Sequence, residues 1–166
     1  AESNLAITDW CAATLEHLGF SLCRSEYKDD RGVRKANLVA IRRPAATGDV
    51  DEGNRSGLAY FGHTDVVPAN DWVGNAEGDS AADPFRAIVT DDRVYGRGAC
   101  DMKGSIASML SAVARLKREE QKSPIWIVLT ADEEVGFTGA KHVVAKCSGY
   151  RELVAADPIS LIGEPT

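Results

Sequence analysis

No uninterrupted apolar stretch approaches the roughly 18 residues that a membrane helix needs, and no basic leader runs into an apolar segment, so the sequence offers neither a span nor a secretory signal. It also lacks a cationic patch. The formal net charge is -6, and the densest basic stretch, Arg115, Lys117, Arg118 and Lys122, is interrupted by Glu119 and Glu120. That stretch reads as the solvated end of a helix, and without a clustered cationic footprint a nucleic-acid partner is not expected. Cysteines are few: Cys11, Cys23, Cys100 and Cys147 lie far apart, with neither a CxxC pair nor a dense disulfide framework. Reduced thiols and a cytoplasmic location are therefore expected, although the chain begins at Ala1 rather than at a methionine. Internal repeats and low-complexity tracts are absent too. What remains, 44% apolar and 27% charged residues in 166, is the make-up of one globular domain able to bury a core.

Leu5, Trp10, Cys11, Leu15 and Leu18 recur at helical spacing before Gly19, which predicts an opening amphipathic helix. Phe20 to Cys23, Ala36 to Ile41 and Leu58 to Phe61 are short apolar or alternating runs that read as strands, with Gly48 to Gly57 as a hairpin loop. Asn70 to Asp83 is rich in Asn, Asp, Gly and Ala and predicts a long surface loop; Arg86 to Tyr95 reads as two short strands about Asp91-Asp92. Ile106, Met109, Leu110, Val113 and Leu116 share one helical face, predicting a helix over 103–119 that ends before Pro124. Ile125 to Thr130 suits a central buried strand, Gly139 to Cys147 a helix after it, and Leu161-Ile162 the end of a last strand. This alternation of strands and helices implies an α/β domain whose mixed, largely parallel sheet is covered by helices.

The acids and one histidine cluster on that map. His63 and Asp65 follow the strand ending at Phe61, Glu133 and Glu134 follow Thr130, and Glu164 follows Ile162, so all sit beyond the carboxyl ends of strands, where open α/β sheets gather ligand sites. Asp101 lies in a glycine-bearing turn, Gly96 to Gly104, just before the 103–119 helix. One imidazole and several carboxylates suit zinc and tolerate cobalt or manganese, and such carboxylates would repel one another unless cations neutralise them. Asp65, two residues past His63 in extended chain, is placed to hold the second imidazole nitrogen. Taken singly, each residue has a plainer reading. A histidine after a strand is usually a hydrogen-bonded loop residue, Glu133-Glu134 a solvated turn, and Asp101 a helix N-cap. His17 and His142 lie in predicted helices without acidic partners and are assigned no function.

Four strings alter that balance: Gly62-His63-Thr64-Asp65-Val66-Val67-Pro68, Gly96-Arg97-Gly98-Ala99-Cys100-Asp101-Met102-Lys103-Gly104, Thr130-Ala131-Asp132-Glu133-Glu134-Val135-Gly136 and Gly163-Glu164-Pro165-Thr166. In order and spacing they resemble the family of zinc amidohydrolases that includes acetylornithine deacetylase, succinyl-diaminopimelate desuccinylase and aminoacylase-1. The likeness runs from the first helix to the last residue, and it implies a three-layer, zinc-exopeptidase-like domain.

The resemblance implies that Asp101 bridges two zinc ions, that His63 and Glu164 complete one site, and that Glu134 contributes to the other. It makes Glu133 the general base, Asp65 the residue that orients His63, and the Asp101-Met102 peptide cis. It further implies that residues 1–166 are the N-terminal part of a catalytic domain. A lid or dimerisation domain and a returning segment carrying the second metal's histidine would lie elsewhere in the protein. On that basis this stretch alone is expected to hold one metal better than two and to have little activity. The complete protein is expected to be a homodimer that hydrolyses the amide of a small N-acyl amino acid in amino-acid biosynthesis, with no membrane or nucleic-acid partner. A metallo-dipeptidase or carboxypeptidase acting on short peptides, or a non-catalytic metal-binding module, are the alternatives.

Overall fold

A computed structural model describes residues 3–45, 56–70, 72 and 83–165. The chain opens with α1 (Leu5–His17), followed by β1 (Ser21–Lys28), β2 (Arg34–Arg42) and β3 (Leu58–His63). A short pair, β4 (Ile88–Val89) and β5 (Val94–Tyr95), leads into an irregular turn over Ala99–Lys103 and then α2 (Gly104–Arg115). The chain continues through β6 (Ile125–Thr130), α3 (Thr138–Lys146), α4 (Ser148–Ala156) and β7 (Ile159–Ile162). None of the described helices is long and apolar enough to cross a membrane.

Five strands form one sheet in the order β1-β2-β6-β3-β7. β2 runs antiparallel to both its neighbours, while β6, β3 and β7 are mutually parallel, so β2 alone opposes the common direction. The sheet is thus mixed and largely parallel. Period-two alternation then sorts the side chains of each strand to opposite faces. On β6, Ile125, Ile127 and Leu129 join Leu38, Ala40 and Tyr60 against Cys11 and Leu15 of α1 and Ile106, Leu110 and Val113 of α2. The intervening Trp126 and Val128 join Val39 and Ala59 against Val143 of α3 and Leu153 of α4. β6 is buried on both faces, which explains why its sequence is continuously apolar rather than alternating. Three layers result. β7 closes the described sheet on the side of β3, and its Ile159, Leu161 and Ile162 are exposed.

The structure corrects several boundaries. β1 extends to Lys28, beyond the predicted Phe20 to Cys23, because it pairs along its whole length with β2. The 103–119 helix begins at Gly104 and ends at Arg115. Asp101 is not an N-cap: it lies in the preceding turn with φ -116 and ψ 99, and the cap position of α2 falls to Lys103. β2 and β3 are not hairpin partners, since β6 lies between them and pairs with both. The predicted loops over 48–57 and 70–83 fall largely outside the described residues. The helix α4 has no counterpart in the sequence reading.

Candidate metal centre

Register places the site. Phe61 of β3 faces Ile162 of β7, so His63 and Glu164, each two residues further, come level at the carboxyl edge of the sheet. His63 itself faces Thr130, the last residue of β6, and the loop beyond carries Glu133 and Glu134. Gly163 permits the tight exit from β7: a Cβ there would overlap the Tyr60 hydroxyl and Ser105 Oγ, which are 2.9 Å apart. Asp101 reaches the same edge from the turn before α2, whose Asp101-Met102 peptide is cis. Met102 is buried beneath it and takes a hydrogen bond from the His63 amide through Sδ at 3.1 Å.

The acids gather about one nitrogen. His63 Nε2 lies 3.1 Å from Asp101 Oδ1, 3.5 Å from Glu164 Oε2 and 3.9 Å from Glu133 Oε2. Two sets, His63 with Asp101 and Glu164 and His63 with Glu133 and Glu134, each bring their ligand atoms within 4.8 Å of one another. On the far side of the ring, Nδ1 sits 3.1 Å from the Asp65 carbonyl oxygen and 3.5 Å from its carboxylate. A carbonyl oxygen only accepts, so Nδ1 carries a donated proton; in the neutral imidazole that a metal ligand must be, Nε2 then presents its lone pair towards the carboxylates. The inferred partner of Nδ1 was the Asp65 side chain; the nearer acceptor is its backbone.

The Asp65 carboxylate has a further task. Its two oxygens accept the backbone amides of Glu133 and Glu134 at 3.2 and 3.1 Å. One residue therefore holds both the imidazole and the loop that carries two of the acids. Burial works against its charge, but His63 and those amides prevail and hold its pKa below the usual carboxylate value.

Without a cation the cluster is poorly compensated. Burial alone would lower the pKa of His63, yet the Asp65 hydrogen bond and charge, with Glu164 and Asp101, hold it up at about 9. Burial and repulsion from Asp101 push the Glu134 carboxyl up, and burial, then Asp101 and Glu133, do the same for Glu164 against the pull of His63. Glu134 Oε1 is buried with no hydrogen-bond partner among the described residues. An orphaned buried carboxylate oxygen is costly. A divalent cation would satisfy that oxygen and the Nε2 lone pair together, so this donor set fits a metal. Beside it a cavity of about 250 Å³ is lined by Phe61, Met102, Val128 and Ile162 on its apolar side and by His63, Glu133 and Glu164 on its polar side.

The supports of the 131–134 loop were not visible from sequence. Asp132, held at φ 55, accepts Lys35 Nζ at 2.8 Å and the Tyr27 hydroxyl at 2.7 Å, and Lys35 and Asp132 are both buried. Burial and Asp132 push the Tyr27 phenol well up, so it stays a donor. Asn37 Oδ1 accepts the Ala131 amide at 3.0 Å. Asn4, also buried, donates to Thr64 Oγ1 and to the Ala36 carbonyl and accepts the Ala36 amide, tying the segment after β3 to β2. The available signal was the alternation of Lys35 and Asn37 with apolar residues at the start of β2, which puts polar groups on a covered face. His17 and His142 take no part in either candidate ligand set.

Known proteins share these features. Residues 59–166 match the family model described as Peptidase family M20/M25/M40. The chain is 42% identical over 161 residues to an acetylornithine deacetylase of Myxococcus xanthus, covering 96% of this chain and 38% of that protein. It is 40% identical over 110 residues to a succinyl-diaminopimelate desuccinylase of Parvibaculum lavamentivorans, covering 66% of this chain and 26% of that one. Among solved structures, human carnosine dipeptidase 1 superposes with a TM-score of 0.75 at 22% identity, over 98% of this chain and 33% of that one, and so shares the fold. The chain spans little more than a third of the Myxococcus relative. On the family match and the identity to that relative, the chain belongs to Peptidase family M20/M25/M40.

Proposed function

We propose that this chain is the N-terminal, metal-bearing part of a zinc-dependent hydrolase that cleaves the amide of N-acyl amino acids. The observation that carries the reading is the crowding of Asp101, Glu133 and Glu164 about His63 Nε2, all within 3.9 Å. Asp101 would bridge two zinc ions, His63 and Glu164 would complete one site, and Glu134, with its unpartnered Oε1, would serve the other. When bound, zinc supplies Lewis acidity that acidifies a water and polarises the scissile carbonyl. Glu133 Oε2 takes the proton of the attacking water and later passes it to the departing amine nitrogen, leaving a carboxylate and a free amine. Asp65 keeps His63 and Glu133 in mutual register through its carbonyl and carboxylate, and Phe61, Val128 and Ile162 offer an apolar wall to the cavity beside them.

Identity of 42% to a protein named acetylornithine deacetylase supports an acyl-amino-acid substrate rather than a dipeptide. The exposed Ile159, Leu161 and Ile162 on β7 support the packing of further chain against that edge, where a returning segment would bring the second site's remaining ligand. We place a lid and a dimer interface in that further chain.

Zinc titration with metal analysis tests the site, with wild type compared against His63→Ala and Asp101→Ala in the full-length protein. Binding of zinc by wild type and loss of more than about 100-fold in affinity in both variants is expected, beyond what loss of an outer partner produces. A folded wild type that binds no zinc would overturn the reading. Turnover of N-acetyl or N-succinyl amino acids above that of dipeptides is the matching substrate result.

A further inference from the structure

A second reactive cluster lies across the sheet from α1 and α2, away from the acidic edge. Cys23, on β1, and Cys147, between α3 and α4, are 124 residues apart in sequence, yet their sulfurs are 2.8 Å apart, with the Cys147 thiol donating to Cys23. Ser148 Oγ stands 3.7 Å from Cys23 Sγ. Cys23 therefore sits over the first residues of α4, a nine-residue helix for which Cys147 is the N-cap. The approach depends on Gly149: a Cβ there would press on Cys23 Cβ at 3.0 Å and Val39 Cγ1 at 3.3 Å.

We propose that Cys23 and Cys147 form a thiol–disulfide exchange site, in which Cys23 attacks a low-molecular-weight disulfide and Cys147 resolves the product to cross-link β1 to the α3–α4 junction. The two thiols are unequal in the way this requires. Burial alone would raise the pKa of Cys23, but the Cys147 thiol and the Gly149 and Ser148 amides outweigh it and hold it below the ordinary thiol value. A thiol facing a helix N-terminus is stabilised as the nucleophilic thiolate. Cys147 is buried and its pKa is pushed up by burial and by Cys23, so it rests as the protonated donor. Access is one-sided as well. Cys23 is half-buried and lines an open cavity of about 250 Å³ with Ser21, Leu22, Trp126, Ser148 and Glu152, whereas Cys147 does not line it. Cys11 and Cys100 have no such sulfur partner among the described residues.

The exchange balances. Cys23 thiolate attacks one sulfur of the incoming disulfide, the old S–S bond breaks, and one thiolate leaves. Cys147 Sγ then attacks Cys23 Sγ, forming the internal bond, and the second thiolate leaves. The two protons of Cys23 and Cys147 end on the two released thiols, so the protein is oxidised by two electrons and the small disulfide is reduced. The two sulfurs, 2.8 Å apart, already lie near the bond length of about 2.0 Å that the exchange produces.

Oxidised glutathione is the probe. The full-length protein is incubated at graded ratios of oxidised to reduced glutathione, quenched in acid, alkylated and mapped by peptide mass spectrometry. Joined peptides bearing Cys23 and Cys147, short of two hydrogens, are expected, with melting raised by about 5–10 °C and restored by dithiothreitol, because the bond closes a long loop. In Cys147→Ser the reaction should halt with glutathione on Cys23, because the resolving thiol is gone while the Gly149 and Ser148 amides still face Cys23. Recovery of Cys23 and Cys147 both alkylated in wild type, at ratios that glutathionylate Cys100, would overturn the proposal. So would glutathione on Cys100 but not on Cys23 in a Cys147→Ser protein whose melting matches reduced wild type. The wild-type mapping stands even if that variant does not fold.

Discussion

Two charged clusters flank the loop over 131–134, and they are built in opposite ways. Beneath it, Lys35 and Asp132 are buried beside the half-buried Tyr27 and the group is complete: each oxygen of Asp132 has a donor within 2.8 Å. Beyond it, Asp101, Glu133, Glu134 and Glu164 crowd around one imidazole, and Glu134 Oε1 has no partner among the described residues. Burial of charge is tolerable when paired and hydrogen-bonded and costly when it is not. The first cluster is therefore scaffold, satisfied by the protein alone. The second is left incomplete among the described residues, and a bound cation is the proposed means of completing it. Asp65 holds the second cluster together, since its carboxylate accepts the Glu133 and Glu134 amides while its carbonyl accepts from His63.

The contrast can be broken by substitutions that confuse the two roles. The largest effect is expected for Glu133→Gln in the full-length protein: hydrolysis of the proposed N-acyl substrate should fall about 10²–10⁴-fold, the usual worth of a positioned acid–base group, with metal content unchanged. Metal analysis alongside kcat decides it, and near-normal turnover would return Glu133 to an ordinary loop position. Next comes Lys35→Met. Leaving Asp132 buried without its cation should cost about 3–5 kcal/mol in stability, read in a denaturant titration, because a broken buried pair costs more than one replaced entirely. If this variant is as stable as wild type, the scaffold half of the comparison fails.

Smaller effects test how the second cluster is held in place. Asp65→Asn keeps the backbone carbonyl that takes the Nδ1 proton but puts an amide donor where an oxygen met a backbone amide, so zinc affinity should fall about 10–100-fold, the range for partners of metal ligands. Isothermal titration measures this, and an unchanged affinity would mean that the backbone carbonyl suffices. The smallest is Asn4→Ala, which removes the tie between Thr64 and the Ala36 backbone and should cost about 1–3 kcal/mol of thermal stability while leaving zinc stoichiometry unchanged.

Much of this was legible beforehand because it depends on local chemistry. Alternating or continuous apolar runs locate β2, β3 and β6, and the acids appear immediately past strand ends because loops at that edge start where the apolar run stops. The helix α4 escaped notice for an equally local reason. Its nine residues include Gly149 and a buried Leu153 but leave Val154 exposed, so the apolar periodicity is too short to stand out.

By itself, then, the sequence determined the α/β class, the main strands and helices other than α4, and the candidate residues His63, Asp65, Asp101, Glu133, Glu134 and Glu164, because each follows from side-chain periodicity or from motif strings a few residues long. Only the tertiary structure decided that β6 separates β2 from β3, and that Asp65 clamps two amides 68 and 69 residues away. It also decided that Lys35 neutralises Asp132 and that Cys23 meets Cys147. Those are pairings across the sheet and between its layers. Strand order and register set them, and no short stretch of sequence carries the distance between two groups that meet only after the sheet has formed.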